Sequence, residues 1–311
     1  MAPSAVVNQG WPVRLPASGR EVVLRPLTGA DEILLLEADG EVSPDRGGLL
    51  DLALALAARL SDGAETGTSF LEDLPVPDLE ALLLRLRQRV FGDAVRSDIV
   101  CPAVRPDGTP CRTRIDIAFS TSDYLDHHAP DARAIARRAA PADDAPGWYR
   151  LPGGDEPAVR FRPPTVGDLK AALAAEGGVR PDRALLRRCC CVVSGAADAA
   201  TAAALPARLR RRIEAAMEAI APALSRALPC RCPECGAETA VSFDVLPYCL
   251  GELRAHAAFV YDDVHRLASA YGWTEAEILT LPSARRARYV DRVRQATAAP
   301  VLSSLPERSV A

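Results

Sequence analysis

Five cysteines in this sequence have the residue type and spacing to hold a metal ion. Cys232 and Cys235 are separated by two residues and followed by a glycine, which is the spacing of a zinc knuckle. Cys101 and Cys111 lie earlier in the chain on either side of a Pro-Asp-Gly turn sequence, and Cys230 is a spare thiol beside the knuckle. Because a closed structural zinc site takes four ligands, we predict a structural Zn²⁺ bound by Cys101, Cys111, Cys232 and Cys235.

The two cysteine pairs leave two arrangements open. The four thiols form one site shared between two segments, clamping them around an approximate two-fold axis, or each segment has lost part of an older site. A redox role is disfavoured, because the CxxC motif precedes a strand pattern instead of opening a helix after a strand. The other cysteines lie in apolar segments and are predicted to be buried packing residues. They are Cys189, Cys190, Cys191 and Cys249.

The composition and the absence of motifs narrow the function classes. The 311 residues carry a net charge of −4, with 49% hydrophobic and only 5% aromatic residues. Such a chain is expected to fold, and nucleic acid is an unlikely partner for it. We expect no membrane segment and a cytoplasmic location, where thiols stay reduced. No Gly-rich phosphate loop, HExxH or GxSxG motif occurs, so we expect neither an enzyme nor a small-molecule substrate.

Three short motifs of the first half of the sequence recur in the second half. They are a Trp-to-Leu-Pro segment, an Arg-Pro-x-Thr-x-x-Asp segment, and a Cys-Pro pair followed by another cysteine. The copies begin at Trp11 and Trp148, at Arg25 and Arg162, and at Cys101 and Cys232. Their common order and similar spacing indicate an internal repeat.

Each repeat is predicted to contain a β-hairpin ending at Arg-Pro, a helix begun by the Thr or Asp, further helices, and a cysteine-bearing β-hairpin. The further helices are predicted at Leu49–Arg59, Pro77–Val90, Arg183–Val192 and Pro206–Leu228. The fold class is therefore α+β. The predicted divisions are a first repeat (1–126), a linker (127–147), a second repeat (148–248), a helical docking segment (249–297) and a disordered tail (298–311).

Apolar residues recur with heptad spacing from Leu250 to Tyr271, which predicts one amphipathic helix of several turns. Gly272 suits its end, and a capping box from Thr274 to Glu277 opens a short helix after it. Such a stripe is typical of an ordinary core face or of a surface that docks another helix. We predict docking through Leu253, Val260, Val264, Leu267, Tyr271 and Trp273.

Both ends of the chain show a family resemblance. Tyr271–Pro282, followed by Arg285-Arg286 and Tyr289, resembles the ending of baseplate-hub proteins of T-even-type contractile phages and phage-like contractile injection systems. The stretch from Leu15 to Thr28, with Asp31-Glu32, is similar to the opening of that family and of tail assembly proteins. The resemblance implies a non-enzymatic structural or assembly protein whose partners are other baseplate or tail proteins.

The cysteines by themselves permit an alternative function, a zinc-ribbon module that binds nucleic acid or acts in regulation. The sparse aromatic residues and the negative net charge favour the baseplate interpretation over this one.

Overall fold

The computed structural model describes residues 10–38, 46–62, 67–153, 159–175, 181–192 and 205–298. In these residues helices alternate with small antiparallel sheets, so the predicted α+β class is confirmed. The predicted disordered tail lies outside the described residues, apart from Ala298 at the end of the last helix. The boundaries between the predicted units stay predictions.

The first half of the chain begins with a three-stranded sheet in the order β1-β2-β3 and ends with a separate hairpin of β4 and β5. Its elements are β1 (Trp11–Arg14), β2 (Glu21–Leu24), α1 (Gly29–Glu37), α2 (Arg46–Leu60), β3 (Ser61–Asp62), α3 (Thr68–Glu72), α4 (Val76–Phe91), β4 (Ala94–Val100), β5 (Arg114–Ser120) and α5 (Thr121–His127).

The second half has a four-stranded sheet in the order β6-β7-β8-β9 and a separate hairpin of β10 and β11. Its elements are α6 (Ala132–Arg138), β6 (Ala140–Pro141), β7 (Tyr149–Arg150), β8 (Val159–Phe161), α7 (Val166–Leu173), α8 (Pro181–Cys189), β9 (Cys190–Val192), α9 (Ala207–Ile220), β10 (Arg226–Arg231) and β11 (Glu238–Phe243). Four helices follow, namely α10 (Val245–Ala257), α11 (Val260–Tyr271), α12 (Glu275–Leu279) and α13 (Ser283–Ala298). The segment 127–147 thus contains α6 and a strand of the second sheet.

Leucines form the largest core, which joins the first sheet to α1, α2, α4 and α10. Burial of these side chains is the main favourable contribution to folding, at roughly 2 kcal/mol for each leucine. A second core surrounds Phe161 and Ile213, and a smaller third core contains Leu267, Ile278 and Val290.

In the first half, the buried carboxylate of Asp31 ties the sheet to the start of α1. Arg25 donates two hydrogen bonds to it at 2.7 and 2.8 Å, and Arg59 donates a third at 3.1 Å. The backbone N–H of Thr28 also donates to Asp31 and completes a capping box. Burial acts to raise the pKa of Asp31, but the bonds from Arg25 and Thr28 outweigh burial and lower it.

In the second half, Asp168 has the same surroundings. Arg162 donates two hydrogen bonds to its carboxylate, Arg188 donates one at 3.0 Å, and the backbone N–H of Thr165 donates another at 3.1 Å. Burial again acts to raise the pKa, but the bonds and the charge of Arg162 lower the pKa of Asp168 to about 2. Each half therefore contains one buried aspartate held by two arginines.

Two predicted helices are shorter than the sequence suggested. The helix predicted at Arg183–Val192 ends at Cys189, because Cys190–Val192 pairs with β8 and adds a strand to the sheet. The helix predicted at Pro206–Leu228 ends at Ile220. Ala221 precedes a proline and adopts a non-helical backbone, as the steric clash with a following proline favours.

The apolar stripe from Leu250 to Tyr271 lies on two helices, α10 and α11, instead of the single helix predicted. The chain turns at residues 258–259, so that Leu253 packs into the largest core while Leu267 packs into the third core. A regular heptad pattern is compatible with such a break, because the pattern records burial and not the continuity of the helix.

Candidate metal centre

The four predicted ligands lie where the two hairpins end. Cys101 follows β4 and Cys111 precedes β5, while Cys232 follows β10 and Cys235 precedes β11. Both hairpins are antiparallel, with pairs from Ala94↔Ser120 to Val100↔Arg114 in one and from Arg226↔Phe243 to Arg231↔Glu238 in the other. Each hairpin thus brings its own two cysteines together at its tip.

The structure brings the cysteines of both hairpins into one cluster. Their four Sγ atoms all lie within 4.8 Å of one another. Cys101 Sγ is 3.7 Å from Cys235 Sγ, and Cys111 Sγ is 3.8 Å from Cys232 Sγ. A tetrahedral site with Zn–S bonds of about 2.3 Å has S···S distances of about 3.8 Å. Disulfide bonds are much shorter, at about 2.05 Å, so the four thiols are free.

An equivalent backbone hydrogen bond closes the base of each hairpin tip. The N–H of Cys101 donates to the carbonyl of Thr113 at 2.8 Å, and the N–H of Cys232 donates to that of Ala237 at 2.9 Å. A two-fold rotation that swaps the two hairpins would also swap the two close sulfur pairs, Cys101–Cys235 and Cys111–Cys232. The cluster therefore has the approximate two-fold symmetry expected of a site shared between the halves.

A left-handed residue follows the second cysteine of each tip. Gly236 has φ of +70°, and Arg112 at the matching position has φ of +54°. Among the described residues, Arg112 is the only non-glycine with positive φ. This conformation costs a residue with a side chain roughly 1 kcal/mol, so the tip geometry is retained in the first hairpin despite an unfavourable residue.

The four thiols of the cluster differ in burial, and the pKa shifts of Cys101, Cys111 and Cys232 differ in direction. Cys101, Cys111 and Cys232 are buried, whereas Cys235 is exposed. Hydrogen bonds with Thr113 lower the pKa of Cys111 to about 6, and the backbone of the Cys232–Cys235 turn lowers the pKa of Cys232. The pKa of Cys101 shifts the other way: its backbone hydrogen bond with Ala103 acts to lower it, but burial and hydrogen bonds with the neighbouring cysteines raise it to about 12. Two of the four thiols therefore favour the thiolate form that binds a cation.

Cys230 lies beside the cluster without joining it. It is half-buried on β10, opposite Thr239, and packs against the small buried group formed by Cys101, Cys111, Ile115 and Cys232. Three other cysteines, Cys189, Cys190 and Cys249, are buried in cores, and burial raises the pKa of Cys189 and Cys190 to about 12. Cys191 is half-buried on β9.

The residues predicted to dock a partner have their contacts mainly within this chain. Leu253, Val260 and Leu267 are fully buried, and Val264 and Trp273 are partly buried. Tyr271, at 43% exposure, stacks on Trp273 with ring centroids 4.9 Å apart. A partner could reach only the outer edge of this set in the described conformation.

Sequence reasoning missed the arginines that hold the two buried aspartates from a distance. Arg59 and Arg188 stand near the ends of α2 and α8, in a chain rich in arginine, so no local motif marks them. For the other residues around each aspartate, the available sequence signal was the recurrence of Arg-Pro-x-Thr-x-x-Asp.

A known protein family matches part of the first half of the chain. Residues 11–132 match the family model described as T4 bacteriophage base plate protein. The predicted resemblance to T4-type baseplate proteins is confirmed over this span. The match covers Cys101 and Cys111 but neither Cys232 nor Cys235. No curated protein and no solved structure matched the chain significantly.

In the described part of the chain, no helix is both long and apolar enough to cross a membrane.

Proposed function

We propose that this chain is a non-enzymatic structural or assembly protein of the baseplate of a contractile tail-like particle, in or near the hub. The observation that carries the proposal is the baseplate-family match over residues 11–132. The ending motif at Tyr271–Pro282, which resembles that of baseplate-hub proteins, supports the hub within this family.

The cysteine cluster has a structural role in this proposal. A single Zn²⁺ bound by Cys101, Cys111, Cys232 and Cys235 would join a hairpin of each half. Four thiolates fill a tetrahedral zinc site. Catalytic zinc keeps one position open for a substrate or a reactive water, and this site would have none. The S···S distances of 3.7 and 3.8 Å support this closed arrangement.

Buried acidic groups elsewhere also serve structural contacts. Glu80 accepts a hydrogen bond from Ser225 at 2.7 Å, and burial raises the pKa of Glu80. Asp78 accepts from the backbone N–H groups of Ala17 and Ser18 at 2.8 and 2.9 Å, which fixes the turn between β1 and β2. These carboxylates are engaged in holding elements together, which supports a non-enzymatic protein.

Deletion of the gene in the cell that produces the particle tests the proposal. We expect sheath and tube proteins to be made but complete particles to be missing in negative-stain electron micrographs, with recovery on complementation. Normal particle numbers and normal baseplates in the deletion strain would overturn the proposal. Mass spectrometry of purified wild-type particles separates its two forms, because a structural component stays in the particle and an assembly factor leaves it.

A further inference from the structure

Three helices of this chain begin with the same dipeptide. Leu74-Pro75 precedes α4, Leu205-Pro206 precedes α9 and Leu281-Pro282 precedes α13. We call each dipeptide with the first residue of its helix a Leu-Pro segment, comprising 74–76, 205–207 and 281–283. We call the segments 27–31 and 164–168, which lead into α1 and α7 and end in the buried aspartates, the Thr-Asp boxes.

One Leu-Pro segment pairs with the Thr-Asp box of the second half. Pro75 forms an antiparallel bridge with Thr165. The N–H of Val76 donates to the carbonyl of Pro164 at 3.2 Å, and the N–H of Val166 donates to that of Leu74 at 2.9 Å. The start of α4 is thereby joined to the start of α7.

A second Leu-Pro segment contacts the box of the first half through the same bridge and one of the two hydrogen bonds. Pro282 bridges Thr28, and the N–H of Ser283 donates to the carbonyl of Leu27 at 2.8 Å. This bond matches the bond from Val76 to Pro164. The two helices that dock in this way, α4 and α13, belong to different parts of the chain, so the pairing is a recurrent mode of contact and not an accident of one loop.

The third Leu-Pro segment has the same backbone but a different environment. Pro206 has φ and ψ of −54° and 142°, against −52° and 141° for Pro75. Leu205 is buried, as Leu74 is, yet Pro206 and Ala207 are exposed, whereas Pro75 and Pro282 are half-buried. Within the described ranges, no Thr-Asp box lies against this segment.

The sequence contains no third box to fill this place. Arg-Pro-x-Thr-x-x-Asp occurs only twice in the 311 residues, and both copies are already paired within the chain. A second copy of this chain would also present two filled boxes. The three Leu-Pro segments and two boxes leave one segment over.

We propose that Leu205-Pro206-Ala207 docks on a Thr-Asp box of a different polypeptide, one that carries Arg-Pro-x-Thr-x-x-Asp at the start of a helix. This rests on the proposed function, because neighbouring proteins in a baseplate are the source of such a partner. The arginine-held aspartate fixes the backbone of the box, so its carbonyl group is already placed to accept from the N–H of Ala207. Preorganisation of this kind lowers the entropy lost on binding.

Site-directed photo-crosslinking in the full chain tests the proposal. A diazirine amino acid replaces Ala207, and the chain is co-expressed with the other baseplate proteins of its particle. After irradiation of the purified assembly, we expect the crosslinked peptide to contain Arg-Pro-x-Thr-x-x-Asp from another polypeptide. The same residue placed at Val76 or Ser283 is the control, and it should crosslink within the chain near Pro164 or Leu27.

A matched pair of exposed positions on α9 gives the quantitative test. Ala207→Arg should weaken binding to the crosslinked partner at least tenfold, while Ala215→Arg, also exposed on this helix, should change it less than twofold. Both variants should keep the unfolding midpoint of the wild type.

The outcomes separate the two proposals. If the diazirine-bearing chain assembles but position 207 crosslinks to another segment, to this chain or to nothing, the docking proposal is overturned and the proposed function stays intact. Failure of the wild-type chain to assemble with any baseplate protein would overturn the proposed function and the docking proposal with it.

Discussion

Nine residues separate the two cysteines of the first hairpin, whereas two separate those of the second. The first tip has Arg112 in the left-handed conformation, and the second has Gly236 there. Despite these differences, the same hydrogen bond closes each tip, and the four sulfur atoms meet at nearly equal cross-distances. The contacts at the base of each tip are therefore what places the thiols, and the length of the loop beyond them is free to vary.

The buried aspartates offer the same lesson in the sheets. Asp31 and Asp168 each accept from two arginines and from the N–H of a threonine. The strand after the second arginine differs, being Ser61–Asp62 in one half and Cys190–Val192 in the other. These matched contacts support the interpretation that the two halves are copies of one unit.

The largest expected effect comes from removing the cysteines of one hairpin. In a shared site, Cys101→Ser with Cys111→Ser and Cys232→Ser with Cys235→Ser should each reduce zinc from about one per chain to none. The free energy of unfolding should fall by more than about 3 kcal/mol in both, because metal binding is coupled to folding. Inductively coupled plasma mass spectrometry and urea unfolding measure the two effects.

Cys230→Ser is the matched control for those variants, because Cys230 packs beside the cluster without being one of the four predicted ligands. The Cys230→Ser protein should keep about one zinc per chain. Retention of half the metal in each double variant would contradict one shared site. A wild-type protein that is stably folded without metal would contradict the site altogether.

A smaller effect is expected from acid at the aspartate of the second half. Because the pKa of Asp168 is lowered from 3.8 to about 2 on folding, its carboxylate stabilises the fold above pH 4. This contribution of about 2 kcal/mol is lost as the pH falls from about 4 to about 2, because in this range Asp168 takes up a proton in the unfolded chain but not in the folded one. Urea unfolding of wild type and Asp168→Asn between about pH 6 and pH 2.5 measures it.

The difference in stability between those two proteins should narrow towards low pH, and loss of zinc in acid affects both alike. Asp31→Asn should show a narrowing of the same sign, because the pKa of Asp31 is also lowered. A constant difference across this range would show that the ionised form of Asp168 is not favoured in the folded state.

The smallest effect is expected where the two hairpin tips differ. Arg112→Gly should stabilise the protein by about 1 kcal/mol, because glycine adopts positive φ without a side-chain clash. Gly236→Ala should destabilise it by a similar amount. Arg112→Ala keeps the strain and removes the long side chain, so its stability should stay within about 0.5 kcal/mol of the wild type. Equal effects of Arg112→Gly and Arg112→Ala would assign the change to the side chain instead.

Much of the cysteine cluster and the fold class could be predicted from the sequence. CxxC and the matching Cys-Pro pair identified the four residues that meet, and the Thr and Asp of each repeat marked the helix starts. The helix ends at Cys189 and Ile220 were missed, because residues 190–192 form a strand only by pairing with β8.

The docking surface could not be judged from the sequence for a related reason. A stripe that includes Leu253 and Leu267 has the same pattern whether its partner is another protein or the chain's own cores. The pairing of Pro75 with Thr165 and of Pro282 with Thr28 depends on backbone groups, which every residue carries and no motif reveals.

The position of the cysteine cluster along the chain has a mechanical consequence. With a metal bound, residues 101 and 111 would be tied to residues 232 and 235, and the segment between them would become a closed loop. The core around Phe161 lies within that loop, and α13 is anchored at Thr28 of the first half. Once the direct contacts of α10 and α13 with the first half open, tension applied between the first half and the last helices would pass across the metal–sulfur bonds, and the core of the second half would carry little of the load.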